Sequence, residues 1–162
     1  MPVRRGKEKT ASLSRGTFLF LAGLVVLADQ FTKVLAQTFL ISGASLPILG
    51  NFFHLTLVQN EGIAFGLFQG AEKTLLVIIP LSIVGLVFFG LRSHPGRWMT
   101  QGGIGLILGG AVGNWIDRIR VGAVIDFLDF RIWPVFNFAD TAITVGVGLF
   151  LLELLKKPNR VS

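Results

Sequence analysis

The chain is patterned in long apolar runs broken by short polar clusters. A helix needs about 20 residues at ~1.5 Å each to cross a ~30 Å hydrocarbon layer. Four runs have that length: about 17–35, 75–91, 98–116 and 135–155. The first carries Asp29 and Lys33 toward its far end, the second and third carry no formal charge, and the fourth has Asp140 near its start and Glu153 near its end. Pro80 lies inside the second run, where a membrane helix tolerates it because neighbouring helices can satisfy the freed carbonyl. None of the runs has the polar stripe that a water-facing helix requires, which argues against a soluble bundle. The pattern therefore predicts an all-α integral membrane protein, a single domain over residues 1–162 built as a four-transmembrane-helix bundle. Residues 1–16 form a cytoplasmic tail, and 36–74 and 117–134 form outer segments. Between the first two runs, His54-Leu55-Thr56-Leu57-Val58 alternates polar and apolar, Asn60-Glu61-Gly62 is a turn signal, and Ile63 to Phe68 is again apolar. Those features predict a short β-hairpin resting on the membrane surface. The stretch from Ala123 to Trp133 mixes apolar and charged residues and reads as interfacial, while Trp98, Trp115 and Trp133 fall at span ends like an aromatic belt.

Composition agrees with this picture. Hydrophobic residues make up 52% of the chain and charged residues 15%, against ~45–50% and ~25% in a soluble domain. The net charge of +6 could indicate nucleic acid, but its distribution explains it without such a partner. Arg4, Arg5, Lys7, Lys9, Arg15, Arg92, Arg97, Lys156, Lys157 and Arg160 all fall on one side of the four spans. By the positive-inside rule that side is cytoplasmic, with both termini there. Seven of the nine acids, Asp29, Glu61, Glu72, Asp117, Asp126, Asp129 and Asp140, gather toward the other face. A basic start followed by Val26-Leu27-Ala28 also fits a cleaved signal peptide, but three further spans make an uncleaved first span the simpler account.

The third span is rich in glycine, with Gly105, Gly109 and Gly113 each four apart, so a partner helix can approach closely along that face. Asn114, Asp117 and Arg118 share a face at its outer end, and Asn137, Asp140 and Thr144 share one at the start of the fourth. An acid or amide at this depth must face protein or a watery cavity. These polar ends and Asp126 are thus expected to converge on one cavity at the outer surface. An ion-pair network involving Asp29 with Lys33, and Asp117 with Arg118, is the purely structural alternative.

The absence of cysteine removes thiolate nucleophiles, cysteine metal sites and disulfides. The two histidines, His54 and His94, fall on opposite sides, against a serine–histidine triad or a histidine zinc site. A serine–lysine dyad from Ser42 or Ser45 with Lys33 or Lys73 has no distinguishing spacing. Paired carboxylates remain. Two acids close together in a poorly solvated site share one proton, so one activates water while the other assists the carbonyl, with no cofactor and no metal. Periodicity leaves open which two aspartates form the pair. A small proton-coupled transporter or a non-catalytic membrane scaffold would also use membrane acids. A transporter's acids should sit near the bilayer midplane, not clustered at one end.

Four ordered motifs decide the matter further. Asp29-Gln30-Phe31-Thr32-Lys33, Asn60-Glu61-Gly62-Ile63-Ala64-Phe65-Gly66, Gly109 to Arg118 followed by Gly122 and Val124-Ile125-Asp126-Phe127, and Phe136-Asn137-Phe138-Ala139-Asp140 together resemble the lipoprotein signal peptidase (signal peptidase II) family. The resemblance implies a bacterial membrane aspartyl endopeptidase that removes signal peptides from prolipoproteins, cutting before a cysteine already bearing diacylglycerol. It places the catalytic pair on Asp126 and Asp140. Supporting and substrate-positioning roles fall on Asp29, Lys33, Asn60, Asn114, Asp117, Arg118 and Asn137. It also implies a small extracytoplasmic sheet that cradles substrate, a loop over the site, location in the cytoplasmic (inner) membrane, and sensitivity to globomycin-type inhibitors. The expected partners are diacylglyceryl-prolipoproteins and membrane lipid, with a single copy as the working unit. Ile63 and Gly66 depart from the residues often found there, and the fourteen positions from Asp126 to Asp140 are on the short side.

Overall fold

The structure is a computed structural model that describes residues 16–61, 72–94 and 97–156. The expected tail up to residue 15, the apolar run 63–68 and the Gly62 to Gly66 part of the second motif lie outside the described residues. The elements are helices α1 (Thr17–Phe39), α2 (Glu72–Arg92), α3 (Trp98–Val121) and α4 (Phe138–Leu155), with strands β1 (Ser45–Leu49), β2 (Phe53–Asn60) and β3 (Val124–Asp129).

Three helices are long and apolar enough to cross a membrane: α1, the Thr74–Arg92 part of α2, and α4. Their outward faces carry exposed Phe20, Leu27, Phe31, Leu81, Val84, Leu151 and Leu154, a surface suited to hydrocarbon. Helix α3 is the longest but less apolar, since glycines, Gln101 and Asn114 interrupt its aliphatic positions. Its place in the bundle accounts for this: it packs against α1, α2 and α4, burying Gln101, Ile104, Leu108 and Asn114.

Glycine sets those contacts. A Cβ on Gly105 would come within 2.8 Å of the Phe18 carbonyl oxygen, one on Gly109 within 2.7 Å of the Ala22 oxygen, and one on Gly113 would strike the Asp29 carboxylate. The stripe of every fourth residue therefore seats α3 along α1, the two running parallel. A second stripe, absent from the sequence reading, seats α3 against α4 in the opposite direction. Gly103 abuts Gly146, and Gly110 abuts Ala139, where a Cβ would lie 2.5 Å from the carbonyl oxygen. Helix α2 runs antiparallel to α3: the Gln101 amide donates to the Gly90 carbonyl at one end and the Trp115 indole to the Leu76 carbonyl at the other.

The helix ends differ from the apolar runs. Helix α1 continues to Phe39 rather than 35, and α3 continues through Asp117-Arg118-Ile119-Arg120 until Gly122, at φ +78°, caps it. Helix α4 begins at Phe138 rather than 135 because Asn137 is its N-cap. The small sheet is three-stranded and antiparallel in the order β1-β2-β3. This revises the expected hairpin. The hairpin partner of β2 is the preceding strand β1, reached through a turn at Gly50 (φ +52°), with Ser45 opposite Thr56. The other partner is β3, with Val58 opposite Asp126 and Asn60 opposite Val124. The stretch read as interfacial is thus divided. Ala123 to Phe127 is buried, with Val124 and Ile125 at 3% and 2% exposure, because β3 packs against β2 and the ends of α1 and α3. Only Arg131 to Trp133 is exposed.

Candidate active site

Two turns and a cap bring the outer polar residues together. Helix α4 opens with a capping box: the Asn137 side chain accepts from the Asp140 backbone N–H at 2.9 Å, and the Asp140 carboxylate accepts from the Asn137 N–H at 3.3 Å. Asp140 is therefore oriented by its own helix end, where the peptide dipoles favour a negative charge. Asp126 is placed from the other side by β3. Its Oδ2 accepts from the Asn60 amide at 3.0 Å and its Oδ1 from the Asn137 amide at 2.7 Å.

Asn114 completes the link. Its Nδ2 donates to Asp140 at 2.8 Å while its Oδ1 accepts from Asn137 at 3.0 Å and from the Lys33 ammonium at 2.9 Å. Two amides thus bridge the two carboxylates. Asp126 is 1% exposed, and burial pushes its carboxyl up to about 7. The Asn60 amide opposes that rise, the nearby Asp140 charge adds to it, and Asn137 opposes it again. Arg118 supplies positive charge felt by both acids.

A cavity of about 380 Å³ opens over this pair, lined by Asp126, Asp140, Asn60, Asn114, Arg118 and Thr144 among others. The expected convergence of the outer polar residues is therefore present, but in two layers. Asp29, Lys33 and Asp117 do not line the cavity. They form a buried cluster behind it, with Lys33 2.9 Å from Asp29 and 2.6 Å from Asp117. The sequence reading paired Asp117 with Arg118; the structure pairs it with Lys33, which reaches across from α1. Asp29 also accepts the Ala139 N–H at 3.0 Å, and Asp117 accepts the Ile125 N–H at 3.2 Å. One ionic knot thereby anchors the first turn of α4 and the strand bearing Asp126 to α1 and α3.

Three contributors escaped the sequence reading. Gln30, between Asp29 and the rest of its motif, donates to Asp117 at 3.0 Å and to the Gly113 carbonyl at 3.2 Å. Trp133 and Phe136 line the cavity mouth. Gln30 could have been found from its place one residue after Asp29 in the first motif, whereas Phe136, which opens the fourth motif, and Trp133, read as part of an aromatic belt, carry no local sign that they line a cavity. Ser42 and Ser45 do not line the cavity, and the Ser45 hydroxyl instead shares a hydrogen bond with Thr56 at 2.8 Å. Among the described residues, no group of three His, Asp or Glu side chains is placed to hold a metal ion.

Known proteins resemble this chain in sequence and fold. The sequence profile described as signal peptidase (SPase) II matches residues 21–156. A lipoprotein signal peptidase of Pelotomaculum thermopropionicum is 41% identical over 146 residues, covering 90% of this chain and 96% of its own length. One from Moorella thermoacetica is 46% identical over 140 residues, covering 85% and 92%. Among solved structures, a bacterial membrane enzyme determined by the in meso method at 2.3 Å resolution superposes with a TM-score of 0.84 at 33% identity, covering 93% of this chain and 98% of that one. With the profile spanning most of its length and its relatives aligned nearly end to end, the chain belongs to the lipoprotein signal peptidase (signal peptidase II) family.

Proposed function

We propose that the protein is a four-span aspartyl endopeptidase of the bacterial cytoplasmic membrane that removes the signal peptide from diacylglyceryl-modified prolipoproteins, cutting before the lipidated cysteine. The observation that carries this reading is the bridged pair of carboxylates, Asp126 and Asp140, facing one cavity. Asp126 is enclosed and holds a proton up to about pH 7. Asp140 lies in the first turn of α4 and accepts the Asn137 N–H and the Asn114 amide, and once Asp126 holds the shared proton it is the partner left to act as base. The pair titrates as a unit carrying one proton.

In the proposed cycle, Asp140 takes a proton from water as the water oxygen bonds to the scissile carbonyl carbon. Asp126 delivers its proton to the carbonyl oxygen, giving a neutral gem-diol. Asp140 then returns its proton to the amide nitrogen as the C–N bond breaks, and Asp126 recovers a proton from the collapsing diol. Both side chains end as they began. Arg118 and the Asn114 amide offset charge that develops around the diol.

The test uses purified protein with a lipidated precursor. Asp126→Asn and Asp140→Asn should each lower kcat by more than about a thousandfold while the protein still inserts and melts cooperatively, and globomycin should compete with substrate in the wild type. Full activity in either variant overturns the assignment.

A further inference from the structure

A second cavity adjoins the first. It is about 430 Å³, and its lining is apolar apart from the Asp140 edge and two threonine side chains, with Phe130, Ile132, Thr141 and Val145 as the walls that belong to it alone. It shares Trp133, Phe136, Asp140 and Thr144 with the cavity over the carboxylates. The two cavities therefore meet at Asp140, and the second extends along α4 to Val145, between one and two turns further into the apolar part of that helix. The outer wall is held in place. Arg131 adopts a left-handed backbone at φ +65°, its N–H donating to the Asp129 carboxylate at 2.8 Å and its guanidinium to the Ser45 hydroxyl at 2.7 Å. That turn carries Ile132 and Trp133 over the groove. Asp129 stays an acceptor: burial opposes its ionisation, but the Arg131 N–H and Thr56 hydroxyl hold its carboxyl below the usual range.

We propose that this groove receives an acyl chain of the substrate's own lipid and so positions the scissile bond against Asp140. The proposal rests on the reading of the protein as a peptidase of lipidated precursors. If the lipidated residue adjoins the bond to be cut, its chains start within a few ångströms of the carboxylates, and they need an apolar path that begins there and leads into the membrane. The groove is such a path. A competing apolar groove of about 230 Å³, between α1 and the sheet and lined by Leu35, Phe39, Leu55 and Phe127, shares no residue with the catalytic cavity. A chain moving from bilayer to protein gains little from the hydrophobic effect, because both surroundings are apolar. The groove's contribution is therefore orientation, and it should be read in turnover of bound substrate more than in affinity.

The experiment compares one precursor peptide carrying either dipalmitoyl or diacetyl glyceryl, cleaved by purified wild type and by Val145→Trp, which fills the groove from an exposed position on α4. Wild type should turn over the long-chain form faster by roughly tenfold or more, and the variant should lose that preference. A preserved long-to-short ratio in Val145→Trp overturns the proposal. A precursor with a photoactivatable diazirine near the carboxyl end of its acyl chain gives a second readout on unmodified protein. Labelling of Thr141, Val145 or Ile132 supports the assignment, and labelling confined to Phe39 or Leu55, or none, overturns it. Failure of the carboxylate assignment looks different: Asp126→Asn would then still cleave both substrates, whatever happens at Val145.

Discussion

Asp126 faces opposing demands. In the proposed cycle it needs a proton to assist a carbonyl oxygen, yet it accepts from close amides that stabilise its charged form. Enclosure dominates, and the carboxyl titrates at about 7, against about 3.9 for an ordinary aspartate in an unfolded chain. Because the folded value is the higher one, the folded state binds the proton more tightly between about pH 4 and about pH 7, so stability falls as pH rises through that window. Catalysis by a protonated Asp126 should fall on the same alkaline side, with kcat/KM declining as pH passes about 7. Asp126→Asn removes the titrating proton and keeps one carbonyl oxygen, which can serve Asn60 or Asn137 but not both. Its melting temperature should therefore fall less steeply across that window than that of wild type, measured by scanning fluorimetry in detergent. An unchanged pH slope in the variant would place the titration elsewhere. Legibility at this scale was uneven. Spacing put Asn114, Asp117 and Arg118 on one face, yet the three divide their work: Asn114 bridges acids, Asp117 pairs with Lys33, and Arg118 lines the cavity. Only a helix crossing from 80 residues away explains that division, since the Lys33 ammonium enters from α1.

Among elements, the helices were legible because apolar length is a local property, whereas strand pairing is not. Strand β2 follows from its alternation, but its partners lie on both sides of it in space. One of them, β1, contains Pro47, which reads as a breaker and is acceptable only because β1 is an edge strand. Strand β3 is buried along nearly all its length, so it shows no alternation to detect. The start of α4 carried a usable sign, Asn137 three residues before Asp140, which is a capping-box spacing. Close packing of α3 against that first turn ties helix geometry to chemistry. A Cβ on Gly110 meets the Ala139 carbonyl oxygen at 2.5 Å, so Gly110→Ala must push away the turn bearing Asp140. A displacement near 1 Å at a reacting group can cost about a hundredfold in rate, and a loss of roughly that size in kcat is expected. Gly148→Ala on the same helix pair, where nothing lies within 4 Å, should leave kcat within about twofold and stabilise slightly. Equal effects at the two positions would refute the coupling between packing and site.

At the scale of the whole molecule, the sheet and the carboxylates sit at one end of the bundle, where α1 and α3 finish and α4 begins, and the α2–α3 connection sits at the other. This follows from the up-and-down order of the helices and holds whichever way the bundle faces. Orientation must come from charge. Ten of the fifteen Lys and Arg precede α1, fall at the α2–α3 connection or follow α4 in the sequence, whereas Lys33, Arg118, Arg120 and Arg131 belong to the sheet end. The basic end should therefore be cytoplasmic and the carboxylates external. A chain with no cysteine allows a clean measurement, because any introduced thiol is the only one present. Ile132→Cys, 85% exposed at the tip of the loop over the site, should react with a membrane-impermeant maleimide applied to intact spheroplasts. His94→Cys, exposed in the α2–α3 connection, should react only after the membrane is opened. The same pair also tests α3 as a spanning helix, since α3 alone joins the two labelled ends. If both cysteines label from outside, α3 does not cross the membrane. If the pattern inverts, the acids face the cytoplasm, on the side where an exported precursor's mature domain could not be waiting.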